Sequence, residues 1–123
     1  MSIGSFTAGN MLILTSDRDG ETVKIRESLQ GESAIIEPEG RLSSEMAQDI
    51  EDEFTTMAIL GNRLIIDLKK VNYISNAVIR VLLELQHLID EKKGDMVLRN
   101  LSDEVYGTFE DMGIEDVFMI TEE

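Results

Sequence analysis

From Ala34 to the end of the chain, short apolar runs alternate with segments whose apolar residues recur at steps of three and four. This alternation limits the fold more than any other feature, because strands joined by helices close right-handed crossovers onto a largely parallel sheet. Ser33-Ala34-Ile35-Ile36-Glu37 reads as the first strand, and Pro38, which has no N–H to give to a ladder, is expected to end it. Ser43 and Ser44 with Glu45 behind them suit a helix start, where hydroxyls cap and acids meet the positive end of the dipole. Met46, Ile50, Phe54 and Met57 form its buried stripe, and Gly61-Asn62 closes it. Leu64-Ile65-Ile66-Asp67-Leu68 is almost continuously apolar, as a strand covered on both faces should be.

Val71-Asn72-Tyr73-Ile74 is expected to lead into a second helix, from residue 76 to about 93. Its apolar positions are Val78, Ile79, Val81, Leu82, Leu85, Leu88 and Ile89, and Lys92, Lys93 and Gly94 are stop signals. Met96-Val97-Leu98 is a strand. Ser102 opens a third helix with Val105, Phe109 and Met112 on its buried side, Gly113 ends it, and Val117-Phe118-Met119-Ile120 forms a short closing strand. Upstream, Met11-Leu12-Ile13-Leu14-Thr15 and Thr22-Val23-Lys24-Ile25-Arg26 flank the turn residues Asp17-Arg18-Asp19-Gly20 and read as a hairpin. The expected fold is α/β: a mixed β-sheet with helices packed mainly on one face and an N-terminal β-hairpin. At 123 residues there is room for one domain. Residues 1–21 are expected to be an N-terminal extension or edge strand, and 22–123 the domain proper.

Charge narrows the partners. With 25 acidic and 11 basic residues the formal charge is -14, which repels phosphate backbones and anionic lipid. No direct nucleic acid or membrane contact is therefore expected, and neutral or basic protein faces are favoured. The chain has no Cys, which excludes disulfides and thiolate metal sites. Its apolar runs are too short to span a bilayer and its first residues lack the pattern of a signal peptide, so a cytoplasmic location is expected.

No catalytic set can be assembled. His87 is the only histidine, with no nucleophile identifiable beside it and no partner for a zinc site, so it reads as a helix-face residue. Asp17, Asp19 and Gly20 begin like a calcium loop but lack its later ligands. Glu51-Asp52-Glu53 reads as a solvated acidic face. Phosphate-binding glycine motifs are missing. Neither a metal, a cofactor nor an enzymatic activity is expected.

Several pieces, in order, resemble one family. Gly40-Arg41-Leu42 resembles the G-x-L that follows the early hairpin of STAS domains. Residues 64–74 resemble the family's central strand and its extension, and Asn100-Leu101-Ser102 with the segment ending Met112-Gly113-Ile114 resembles its closing helix. The resemblance runs over residues 23–120 and is to the anti-sigma-factor-antagonist type. It implies a regulator that binds an anti-sigma factor, often itself a serine kinase. It also implies a D-S-S-G motif at the start of the second helix, whose first Ser is phosphorylated to switch binding off.

This chain departs from that motif. The matching positions read Ser75-Asn76-Ala77-Val78, so Asn76 stands at the phospho-acceptor position and cannot be phosphorylated. Asn76 is expected to cap the helix instead, and Val78 to add bulk where the family has Gly. Ser75 is a candidate substitute acceptor. The candidate partner-binding surface is Ser43, Ser75, Asn76, Ala77, Val78, Ile79 and Arg80. Tyr73, just before it, is expected to be packed. Two further readings stay open from the sequence: a small-ligand or nucleotide sensor, and a homodimer.

Overall fold

The computed structural model describes residues 3–8, 11–16 and 20–122. Four antiparallel strands open the chain: β1 (Ile3–Ala8), β2 (Met11–Ser16), β3 (Thr22–Gln30) and β4 (Ser33–Leu42). A 3₁₀ turn (Ser44–Met46) leads into α1 (Ala47–Leu60). Then come β5 (Arg63–Asp67), β6 (Lys70–Ile74), α2 (Asn76–Glu91), β7 (Asp95–Arg99), α3 (Asp103–Met112), a second 3₁₀ turn (Glu115–Val117) and β8 (Met119–Thr121). The sheet runs β1-β2-β3-β4-β5-β7-β8, and β6 pairs with β4. From β4 onward every pairing is parallel. The expected hairpin is present, with Met11 opposite Arg26 and Leu14 opposite Val23. Its turn residues Asp17, Arg18 and Asp19 lie outside the described residues.

Pro38 does not end its strand. Residues 33–36 of β4 pair with β5 and residues 39–42 pair with β6. Pro38 therefore sits where β4 changes parallel partner, a place where a missing N–H is tolerated. Gly40, two residues on, has φ +116°, and a Cβ there would stand 2.9 Å from the Thr22 carbonyl oxygen. Only glycine fits this bulge, which shifts the register at Arg41. Val71-Asn72-Tyr73-Ile74 leads into the second helix as expected, and is also a strand in its own right, paired with β4.

The alternation of side chains builds the core. Val23, Ile25, Ala34, Ile36, Leu64, Ile66, Met96 and Leu98 occupy one face of the sheet and are almost fully buried. Ile50 and Phe54 of α1, Ile79, Leu82 and Ile89 of α2, and Val105 and Phe109 of α3 join them in a single cluster. Each such side chain contributes about 1.5–3 kcal/mol by leaving water. Met112 is an exception to the expected stripe: it is 42% exposed, and α3 buries only Val105 and Phe109. Phe109 packs instead on Phe118, with ring centroids 5.5 Å apart.

The ends of the first two helices are tied together. The Lys92 Nζ donates to the Ala58 and Gly61 carbonyl oxygens, both at 2.8 Å. A lysine expected only to stop α2 thus also caps α1, whose last carbonyls lack helical partners. No helix among the described residues is long and apolar enough to cross a membrane.

Candidate functional site

The start of α2 is set by the strand before it. β6 stays paired with β4 up to Ile74, opposite Leu42, and the Ser75 N–H continues to the Leu42 carbonyl at 2.9 Å. Ser75 is the first residue free to turn. It keeps extended angles (φ -81°, ψ 162°), and its Oγ accepts the Val78 N–H at 3.2 Å. Ser75, not Asn76, is therefore the N-cap, as that geometry requires. Its side chain is only 3% exposed, and its carbonyl accepts the Ile79 N–H at 2.9 Å.

The candidate residues separate by burial. Val78 and Ile79 are 0% exposed and point into the core, so the valine in place of the family's glycine adds nothing to the height of the surface. Asn76, the first helical residue, and Arg80, one turn on, are exposed, and Ala77 is half-buried. Ser43 is half-buried and makes no side-chain cap. Its carbonyl accepts the Met46 N–H at 3.1 Å, and the 3₁₀ turn it closes touches α2. The structure thus gathers Ser43, Asn76, Ala77 and Arg80 at one surface and places Ser75, Val78 and Ile79 behind it.

Two residues outside the expected set border this surface. Arg41 and Tyr73 are register partners across β4 and β6, and the Arg41 guanidinium carbon lies 3.8 Å from the Tyr73 ring centroid. Tyr73 is 39% exposed and therefore not packed beneath the helix, because its position on β6 turns away from the core. No simple alternation signals this: the buried places in β6, Val71 and Ile74, are three apart, because the register shift between Gly40 and Arg41 skips Asn72. Electrostatically the spot differs from its surroundings. The first turn of α2 holds no acidic residue, whereas that of α3 holds Asp103 and Glu104. Arg80 adds positive charge to the dipole end, while the Arg41 charge is paired with Glu21 at 3.8 Å.

Elsewhere, two polar arrangements organise the fold. Asp67, 7% exposed at the end of β5, accepts the Lys69 N–H at 3.0 Å, the Arg99 Nε at 3.2 Å and the Asn100 Nδ2 at 3.2 Å. This carboxylate closes the β5–β6 joint onto the end of β7. The second arrangement corrects the reading of the 51–53 run as purely solvated. Glu27 of β3 hydrogen-bonds Glu53 of α1, and burial, followed by that bond and the neighbouring charge, pushes its carboxyl up to about 8. Its Oε2 is buried without a partner. Glu51 is raised by a hydrogen bond with Glu84 of α2. His87 is exposed on α2 and pairs with Glu91 at 2.8 Å, as a helix-face residue should.

Comparison with known proteins adds a family. Residues 23–123 match the family model described as the STAS domain. A STAS-domain containing protein of Pseudomonas aeruginosa is 27% identical over 94 residues, covering 76% of this chain and 93% of its own. Among solved structures, an anti-sigma factor antagonist of Mycobacterium paratuberculosis superposes with a TM-score of 0.73 at 13% identity, over 88% of this chain and 90% of that one. The anti-sigma factor antagonist SpoIIAA in its unphosphorylated form gives 0.68 at 16% identity, over 78% and 86%. At these identities the structural likeness is one of fold.

Proposed function

The chain belongs to the STAS domain family, and from that premise we propose that it is a non-enzymatic regulatory module that binds an anti-sigma factor or a related serine kinase in the cytoplasm. The binding surface is the start of α2: Asn76, Ala77 and Arg80, flanked by Ser43 and by the Arg41–Tyr73 pair. One observation carries this reading. In an acidic molecule, this helix start is free of acidic residues in its first turn, bordered by Arg80 and by Arg41, the latter paired with Glu21, and presents an exposed aromatic ring. Tyrosine and arginine are the residue types most often found to anchor protein interfaces.

The same surface works without the phosphoryl switch that the family resemblance implies. The exposed acceptor position is Asn76, which has no hydroxyl. The neighbouring hydroxyl of Ser75 is buried and engaged in capping, so a kinase reaches it only by unwinding the first turn of α2. Binding is thus governed by the amounts of the two partners and not by modification at this point.

The test is affinity capture from the native host with the wild-type chain and with Asn76→Asp and Ala77→Lys variants, followed by mass spectrometry. Asn76 is exposed and Ala77 half-buried in the first turn of α2, and unchanged thermal unfolding is required of both variants before capture is compared. The wild type is expected to capture an anti-sigma factor or serine kinase that both variants lose, and to carry no phosphate on Ser75. Equal capture by all three chains removes the start of α2 as the contact surface.

A further inference from the structure

We propose that the helix-free face of the sheet carries a second site, a groove that binds a phosphoryl group of a small molecule through Arg26 and Lys69, with Lys24 and Lys70 at its sides. The groove has a volume of about 150 Å³. Its origin lies in strand alternation. β3 sends Val23 and Ile25 into the core, so Lys24 and Arg26 stand on the opposite face. At the β5–β6 joint, Leu68 is fully buried and Lys69 and Lys70 are exposed on either side of the turn. Pro38, buried between β3 and the joint, also lines the groove.

The charge distribution is what makes the groove unusual. The chain carries 25 acidic and 11 basic residues, yet four of the basic ones meet here. Four basic and three acidic side chains line the groove, which leaves it one net positive charge in a molecule of -14. The acids are largely committed. Glu39 is shared by Lys24 at 3.8 Å and Lys70 at 3.7 Å. Asp67 is held by Arg99 and Asn100 and accepts the Lys69 backbone N–H. Arg26 and Lys69 have no carboxylate within ion-pair distance among the described residues, although Glu37 is the register partner of Arg26.

A guanidinium fork with an adjacent ammonium suits a tetrahedral dianion, which accepts two parallel hydrogen bonds from Arg and a point charge from Lys. Without such a local positive surface, the net charge of the protein would repel this ligand. None of Asn76, Ala77 and Arg80 lines the groove, so the site is separate from the start of α2, although Glu39 and Lys70 lie on the same two strands as the Arg41–Tyr73 pair.

The full chain, labelled with ¹⁵N, is titrated with inorganic phosphate and with ATP, each against NaCl at matched ionic strength, while amide shifts are followed. Saturable shifts at residues 24–26 and 67–70 that NaCl does not reproduce support the site. Saturation by phosphate alone assigns free phosphate, and tighter binding of ATP assigns a phosphorylated metabolite. An Arg26→Ala/Lys69→Ala variant with unchanged thermal stability is expected to bind about tenfold or more weakly, while Arg80→Ala binds as wild type. Shifts that track ionic strength only, or equal affinity in the double variant, overturn the proposal.

Discussion

Replacing Glu27 by Gln should stabilise the protein in mild alkali and do nothing in mild acid. The Glu27 carboxyl is raised from an ordinary 4.5 to about 8 in the folded protein, first by burial and then by its hydrogen bond to, and the charge of, Glu53. A folded-state pKa above the unfolded one means that the folded chain holds its proton more tightly. The favourable contribution is therefore complete below pH 4.5 and is lost as pH rises towards 8. At about 1.4 kcal/mol per pKa unit, the full shift would cost roughly 5 kcal/mol above pH 8. Glu27 is only half-buried, so solvent screens much of this, and about 1–2 kcal/mol is the realistic magnitude. Glutamine keeps the shape and a hydrogen-bond donor for Glu53 but cannot ionise. The assay is thermal unfolding by circular dichroism from pH 5 to pH 9. Wild type and Glu27→Gln should melt together at pH 5. At pH 8.5 the variant should melt roughly 3–10 °C higher. A variant no more stable than wild type at pH 8.5, or equally stabilised at both pH values, refutes the reasoning.

The remaining predictions concern caps and close approaches. Ser75→Ala should cost about 1 kcal/mol in urea unfolding, because the Val78 N–H loses its acceptor. Asn76→Ala, one residue away, should change stability by less than about 0.5 kcal/mol, since Asn76 caps nothing. Lys92→Met should cost about 1–3 kcal/mol by releasing the Ala58 and Gly61 carbonyls, and hydrogen exchange should quicken at the end of α1. Gly61→Ala should lower the melting temperature, because its Cβ would lie 2.8 Å from the Glu32 carbonyl oxygen and 2.9 Å from the Ala34 nitrogen.

Local periodicity carried most of the fold. The stripe Met46, Ile50, Phe54 and Met57 is buried as its spacing requires, and so is the inner face of α2. Where reading failed, the deciding contact was remote in sequence. Pro38 looks like a strand end until β6 is seen to take over from β5 as the partner of β4. Val71-Asn72-Tyr73-Ile74 is too close to the previous strand to read as another, and only its pairing with β4 makes it one. Both Ser75 and Asn76 suit an N-cap by residue type, and the choice between them follows from the hydrogen bond between Ser75 and Leu42. Glu27 and Glu53 meet only because α1 lies across β4, the neighbour of β3, which no local pattern records. The start of the second helix, where the contact surface is proposed, was legible as a helix start. Which of its residues face outward was not, since burial depends on how α2 lies on the sheet.

Site-specific photo-crosslinking from positions 76 and 80, with His87 on the same helix as the control, tests the account most directly. A photoreactive residue at 76 or 80 should join the chain in vivo to one regulatory protein, which the same residue at 87 does not reach. Crosslinks to that protein from 87 but not from 76 or 80 would contradict the assignment of the start of α2 as the working surface.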